Sequence, residues 1–190
     1  MKKVLLLAPM SSVHERFNIA NINVLKKMNC ELHIAANFKL DEHTRRYEQE
    51  LQQEQIITHH IPFQRSSLRK NLKCIPTLKE LFRNEQFDMV HCHTETGGII
   101  TRMSMNACKK TKFLYTPHGM SFYKGSSLKS QLIYKPIEKW ICNAMSANLA
   151  MNEEEYQILC KWNKRSACYI HGIGVRLDTI QDIQIDRKNK

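Results

Sequence analysis

Histidines at the ends of short apolar runs are the residues of this chain best placed to do chemistry. His118 lies in Tyr115-Thr116-Pro117-His118-Gly119-Met120, where the apolar run Lys112–Thr116 breaks at Pro117 and Gly119 into a polar loop. A second such end is Met89-Val90-His91-Cys92-His93, which runs into Thr94-Glu95-Thr96-Gly97-Gly98. In open α/β sheets, ligands collect beyond the carboxyl ends of parallel strands, so His93 and His118 are read as facing a substrate. His91-x-His93 puts two imidazoles on one strand face. No spaced second pair accompanies them, so they read as buried or supporting histidines and no metal is expected.

Two other turns are candidate ligand contacts. Pro9-Met10-Ser11-Ser12-Val13-His14-Glu15 follows the first apolar run and holds no glycine. A dinucleotide site needs glycines there for close approach to pyrophosphate, which excludes a conventional NAD-binding domain. Ser11, Ser12 and His14 offer hydrogen bonds to a substrate hydroxyl, or the serines simply cap a helix. Thr94 or Thr96 is a candidate cap for the helix after His93. Gly97 and Gly98 either open the amino end of that helix to an anion or allow close helix–sheet packing. Lys124, with Lys129, faces either a phosphate or only solvent.

These residues need a scaffold, and the apolar pattern supplies one. Short apolar runs alternate with amphipathic ones, the signature of a parallel sheet with crossover helices. Strands are expected at Lys3–Ala8, Glu31–Ala36, Gln55–Ile61, Asp88–His93, Lys112–Thr116, Ala147–Met151 and Cys168–His171. Helices are expected at Phe17–Met28, Asp41–Gln53, Leu68–Arg83, Gly98–Lys109, Leu128–Met145 and Glu153–Lys161, with a late start or kink at Pro76. Trp140 reads as core. The expected fold is α/β, a single Rossmann-like three-layer domain with a mostly parallel sheet of about seven strands. It spans residues 1–180, and 181–190 form a polar tail or the start of a linker.

Composition narrows the partners. The chain has 190 residues, enough for one sizeable core, and no window holds the ~20 apolar residues of a membrane span. Its seven cysteines are odd in number and lack Cys-x-x-Cys, which suits reduced thiols in a cytosol. Net charge is +11, from 29 basic and 18 acidic residues, and favours an anionic partner. Arg65, Arg69, Lys70 and Lys73 interleave with leucines. That segment suits an anionic bilayer or an ordinary surface helix packing its leucines on the sheet.

Five stretches together resemble a known family: Phe87–Thr94, Tyr115–Gly125, Tyr134-Lys135-Pro136-Ile137-Glu138-Lys139, Met151-Asn152-Glu153-Glu154-Glu155-Tyr156 and His171-Gly172-Ile173-Gly174-Val175. In this order and spacing they are similar to the amino-terminal domain of a family 4 glycosyltransferase, of the capsular and exopolysaccharide branch. The resemblance runs from about Lys3 to Ile180. It implies one half of a GT-B architecture, in which this half mainly holds the acceptor and a carboxy-terminal domain holds the nucleotide sugar. It implies metal-independent, retaining transfer, with no cofactor beyond the nucleotide-sugar co-substrate. By the same resemblance His118 lies at the donor sugar as the catalytic residue, and His93 and His14 line the acceptor side. The pattern departs from the branch at Ser121, where histidine is frequent, at Glu95, where proline is common, and at Met145-Ser146-Ala147-Asn148.

The resulting expectation is a cytoplasmic enzyme, peripheral on the inner face of the plasma membrane, acting on a lipid-linked saccharide acceptor. Its donor half is expected outside this chain, supplied by a longer protein or as a separate chain, and the isolated 190 residues are expected to be inactive or incomplete. The competing expectation is a non-catalytic basic module that binds an anionic polymer, nucleic acid or a membrane surface. Histidines at strand ends and the lack of an interleaved aromatic platform weigh against nucleic acid. An enzyme complete in one domain ranks last, because no nucleophile–base pairing is readable.

Overall fold

The computed structural model describes residues 1–65 and 67–172. Gly174 and Val175 of the last motif, the domain limit at 180 and the tail 181–190 lie outside the described residues. Strand β1 (Lys3–Met10) is buried on both faces from Val4 to Pro9. Such a run forms the centre of a parallel sheet, where both faces are covered. The others are β2 (Glu31–Asn37), β3 (Ile57–His60), β4 (Met89–His93), β5 (Lys112–Thr116), β6 (Ala147–Ala150) and β7 (Ala167–Tyr169). Their order is β3-β2-β1-β4-β5-β6-β7, with every neighbouring pair parallel. The order reverses between β1 and β4, which opens a crevice at their carboxyl ends. The expected seven-stranded Rossmann-like domain is present.

Alternation along the strands feeds two cores. Val4, Leu6 and Ile34 pack with Ile22, Leu25 and Leu51 from α2 (Ile19–Lys27) and α3 (Glu42–Gln53). Leu5, Leu7 and Val90 pack on the opposite face, with Leu78 and Phe82 of α5 (Ile75–Glu85), Ile100 of α6 (Thr94–Ser104), Ile141 of α7 (Leu128–Cys142) and Leu159 of α8 (Glu153–Asn163). The sheet between two layers of helices gives three layers.

Three expected helices need correction. The segment expected as one helix from Phe17 begins at Ser11 without a loop: α1 (Ser11–Phe17) follows β1 directly and α2 restarts after the buried Asn18. The helix expected across Leu68–Arg83 is broken into α4 (Leu68–Asn71), a 3₁₀ turn at Leu72–Cys74 and α5. Pro76 sits in the first turn of α5, where its missing N–H costs nothing. Helix α6 begins at Thr94, four residues before the expected Gly98. The capping of α3 follows its sequence: Asp41 accepts from the Thr44 N–H at 2.8 Å, and the Thr44 hydroxyl reaches back to the Asp41 N–H at 3.2 Å.

Candidate active site

The carboxyl ends of β4 and β5 bring four histidines together. Parallel register sets His91 beside Leu114 and His93 beside Thr116. His91 Nε2 and the Thr116 hydroxyl are hydrogen-bonded at 2.8 Å. Beyond Thr116 the chain turns at Pro117, and His118 adopts a left-handed φ of 60° ahead of Gly119 at 101°. That turn folds His118 back on β4, where its Nε2 meets His93 Nδ1 at 2.9 Å. Thr94, at the matching end of β4, is left-handed too, at 66°. A non-glycine residue in this region carries strain, and both strained residues flank the same crevice.

The rings form a contiguous set. Centroids are 4.1 Å apart for His91–His93, 5.1 Å for His93–His118 and 6.1 Å for His14–His93, while Phe17 packs on His118 at 5.3 Å. Burial pushes the imidazoles down, His14 and His118 to about 4 and His91 to about 3. His93 is lowered well below the usual histidine value, by burial first and then by its histidine neighbours. All four are therefore neutral near pH 7, and a neutral imidazole presents one N–H donor and one lone pair. His93 Nε2 is buried without a hydrogen-bond partner among the described residues. His91, His93, Thr116 and His118 line a pocket of ≈ 230 Å³, closed on other sides by Phe17, Asn21, Leu149 and Met151. Such a pocket suits hydroxyl groups and an apolar sugar face better than an anion.

His14 has a different part. It is fully buried, and both ring nitrogens are taken up inside the protein: Nε2–H donates to the Ala35 carbonyl at 3.3 Å, and Nδ1 accepts from the Asn18 amide at 3.0 Å. Asn18 in turn accepts from Asn21, a pocket residue, at 2.7 Å. His14 thus supports the pocket wall and leaves no nitrogen for an acceptor.

The other expected site residues are scattered by the fold. Ser11 is buried and Ser12 half-buried in the first turn of α1, and no side chain caps that helix. Neither Thr94 nor Thr96 caps α6, whose N-cap residue is His93. Gly97 and Gly98 lie within the helix. A Cβ on Gly98 would sit 2.8 Å from the Tyr115 ring and 3.0 Å from Ile141, so close helix–sheet contact accounts for that glycine, while one on Gly97 would meet Pro9 at an ordinary 3.4 Å. Lys124 is exposed, and its backbone N–H donates to Glu154 at 2.7 Å.

Three features had no chemical reading in the sequence. Glu155, buried at the start of α8, accepts from the Met120 N–H at 3.0 Å and so anchors the loop after His118. Ser121 and Glu95, two departures from the family pattern, meet: the serine hydroxyl donates to the carboxylate at 2.9 Å. On the other face of β5, the Tyr115 hydroxyl donates to Glu138 at 3.0 Å. Burial pushes the Glu138 carboxyl up to about 8 despite that bond.

The basic segment is a separate surface. Arg65, Arg69, Lys70 and Lys73 are all exposed. Its apolar positions divide: Leu78 and Phe82 of α5 enter the core, while Leu68 and Leu72 remain 42% and 39% exposed. Those two leucines border an apolar trough of ≈ 490 Å³ with Ile99, Met103, Pro136, Ile137 and Trp140. Trp140 is thus a surface residue, contrary to its expected core position, and carries the Arg102 guanidinium 4.4 Å above its ring. Leu128, Leu132 and Ile133 extend the exposed apolar surface along α7. No helix among the described residues is long and apolar enough to cross a membrane.

Residues 3–152 match the family described as Glycosyl transferase 4-like. EpsD of Bacillus subtilis (strain 168), whose name assigns it as a glycosyltransferase, is 32% identical over 190 residues, covering 96% of this chain and 46% of EpsD. The Escherichia coli UDP-Gal:alpha-D-GlcNAc-diphosphoundecaprenol alpha-1,3-galactosyltransferase is 26% identical over 95 residues, 50% of this chain and 24% of that protein. The chain therefore spans less than half the length of either relative. Among solved structures, the Staphylococcus aureus MnaA–UDP complex superposes with a TM-score of 0.63 at 15% identity, over 90% of this chain and 44% of that one. Sucrose-phosphate synthase of Thermosynechococcus elongatus gives 0.60 at 14% identity, over 90% and 47%. The shared fold is that of one half of a two-domain GT-B architecture.

Proposed function

The chain belongs to the Glycosyl transferase 4-like family, and from that premise we propose that it is the acceptor-binding half of a retaining glycosyltransferase. A sugar passes from a nucleotide donor, held mainly by a carboxy-terminal domain outside these residues, to a saccharide of a polysaccharide precursor. The observation that carries this reading is the His93–His118 pair, joined at 2.9 Å across the carboxyl ends of β4 and β5 and facing the ≈ 230 Å³ pocket.

His118 is the catalytic residue of this proposal. Its left-handed backbone aims the imidazole into the crevice, and as a neutral ring it hydrogen-bonds a hydroxyl of the reacting sugar. His93 fixes the ring orientation of His118 through the 2.9 Å contact between their nitrogens. In the reaction the bond from the sugar's anomeric carbon to the nucleotide phosphate breaks and one to the acceptor oxygen forms. The acceptor's proton leaves with the phosphate, and no metal or other cofactor takes part. Phe17, Leu149 and Met151 give the pocket an apolar wall that disfavours water as a competing acceptor.

The acceptor is lipid-linked in this reading. The Escherichia coli relative is named for a diphosphoundecaprenol-linked acceptor, and a basic, apolar surface suits the membrane that holds such a lipid. Arg65, Arg69, Lys70 and Lys73 meet anionic head groups while Leu68, Leu72 and Trp140 enter the interface. The protein then works on the cytoplasmic side, without nucleic acid as a partner. The test is transfer from nucleotide sugars to a polyprenyl-diphosphate-linked saccharide, by this chain with and without a matching donor domain. Transfer only in the joint sample supports the proposal. Transfer by the chain alone, or none in either, overturns it. Arg69→Glu with Lys73→Glu should lower binding to vesicles containing phosphatidylglycerol at least tenfold and leave neutral vesicles unaffected.

A further inference from the structure

A second histidine group lies on the same sheet, toward its amino-terminal end and away from the pocket. His33 of β2 and His59 of β3 lie edge to edge, with centroids 5.1 Å apart and planes 6° from parallel. Their facing nitrogens, His33 Nδ1 and His59 Nε2, are 2.8 Å apart. His33 is 1% exposed, and its other nitrogen, Nε2, contacts a Glu31 carboxylate oxygen at 3.0 Å. Glu85, in the last turn of α5, brings a third ligand atom, and the three lie within 4.8 Å of one another. Among the described residues this is the one group of three metal-ligating side chains that converges so closely.

The hydrogen bonds determine the tautomers. Glu31 accepts, so Nε2 of His33 carries the proton and Nδ1 is a bare lone pair. His59 must then donate its Nε2–H across the 2.8 Å gap. One proton therefore sits between two imidazole nitrogens, beside a carboxylate, where a cation would satisfy the same three groups. A carboxylate that holds the far N–H of a ligating histidine is a recurring partner at metal centres. Phe87 packs edge-on against both rings and holds the pair in place.

We propose that His33 Nδ1, His59 Nε2 and Glu85 form a binding site for a zinc-class divalent ion, with Glu31 orienting His33. Two imidazoles and a carboxylate are a ligand set that zinc accepts, with a fourth place for water. Zinc–nitrogen bonds of about 2.0–2.1 Å in tetrahedral geometry put ligand atoms about 3.3 Å apart, so the rings must separate by about half an ångström and tilt until their lone pairs converge on the ion. His59 lies on the short edge strand β3, which can yield by that amount. On binding, the proton leaves His59 Nε2 and the ring is reprotonated at Nδ1, so both imidazoles remain neutral. Lys3, whose Nζ bridges Glu31 at 3.2 Å and Glu85 at 2.9 Å, gives up Glu85 and keeps Glu31. The ion would clasp the edge strand to α5. It stands apart from the metal-independent chemistry proposed for the pocket.

The test is zinc chloride titrated into the reduced 190-residue chain against a competing chromophoric chelator, for the wild type, His59→Gln and Glu85→Gln. One ion per chain, bound at least tenfold more weakly by both variants, is the expected result. No binding overturns the proposal, and so does binding undiminished in either variant, which would point to the free thiols instead. Imidazole nitrogen NMR of the wild type gives a reading that needs no variant. Zinc should move the His59 proton from Nε2 to Nδ1, and an unchanged His59 tautomer at saturating zinc refutes the site.

Discussion

Two groups of buried histidines occupy one sheet, and they differ in what faces the rings. At the carboxyl ends of β1, β4 and β5, the partners of His14, His91, His93 and His118 are an amide, a hydroxyl, a carbonyl and one another. Nearer the amino ends, His33 and His59 stand beside Glu31, Glu85 and Lys3. Without a carboxylate, burial and the neighbouring histidines act together, and the first group is reduced to neutral hydrogen-bonding rings suited to hydroxyls. A carboxylate in the second group fixes a tautomer and leaves a lone pair directed at a neighbour. Residue type is the same at both ends; the neighbouring charges decide what each can hold.

The largest effect expected from breaking this comparison is at the carboxyl end. His118→Ala in the assembled two-domain enzyme should reduce transfer by at least about 100-fold, the scale of losing one positioned hydrogen-bonding group. Circular dichroism unchanged from the wild type would locate that loss in the site. Next comes Glu31→Gln, which removes the orienting carboxylate from the amino end. Zinc affinity should fall by about tenfold or more, measured by the same chelator competition, while transfer is unaltered.

Acid should destabilise the fold through the carboxyl-end histidines. The folded state holds His14 and His118 at about 4 and His91 at about 3, against a usual value of 6.5. Between those values the unfolded chain binds more protons than the folded one, so stability rises with pH across the window. It is fully present above 6.5 and is lost as pH falls toward 4. Thermal melts from pH 7.5 down to pH 5 should show a falling Tm, and a flat profile would contradict neutral burial. The smallest effect sharpens the comparison by transplanting a carboxylate. Asn18→Asp places one against His14 Nδ1, now 3.0 Å from an amide. His14 should then titrate at least one unit higher, as read by NMR.

How much of this was legible in the sequence varies with the range of the signal. Strand β5 was expected at Lys112–Thr116 and lies there, because its apolar run is bounded by Pro117 and Gly119. His118 was recognisable for the same reason: strand, breaker and histidine are contiguous. The start of α6 was misplaced because Gly97 and Gly98 looked like a loop. Gly98 instead lies inside the helix, and the partners of its close helix–sheet contact, Tyr115 and Ile141, are distant in sequence. His33 and His59 were overlooked because they sit on separate strands with no shared motif, and parallel register between β2 and β3 brings them into contact. Likewise nothing in Glu95 and Ser121 announces that two departures from a family pattern touch.

The left-handed turn at His118 has one more consequence. An L-residue with a side chain pays roughly 1–2 kcal/mol to hold that conformation, and glycine does not. That strain offsets part of what the imidazole gains from His93 and Phe17, so His118→Gly should melt higher than His118→Ala, while both silence the assembled two-domain enzyme. The backbone shape at this position thus favours a residue that the chemistry forbids.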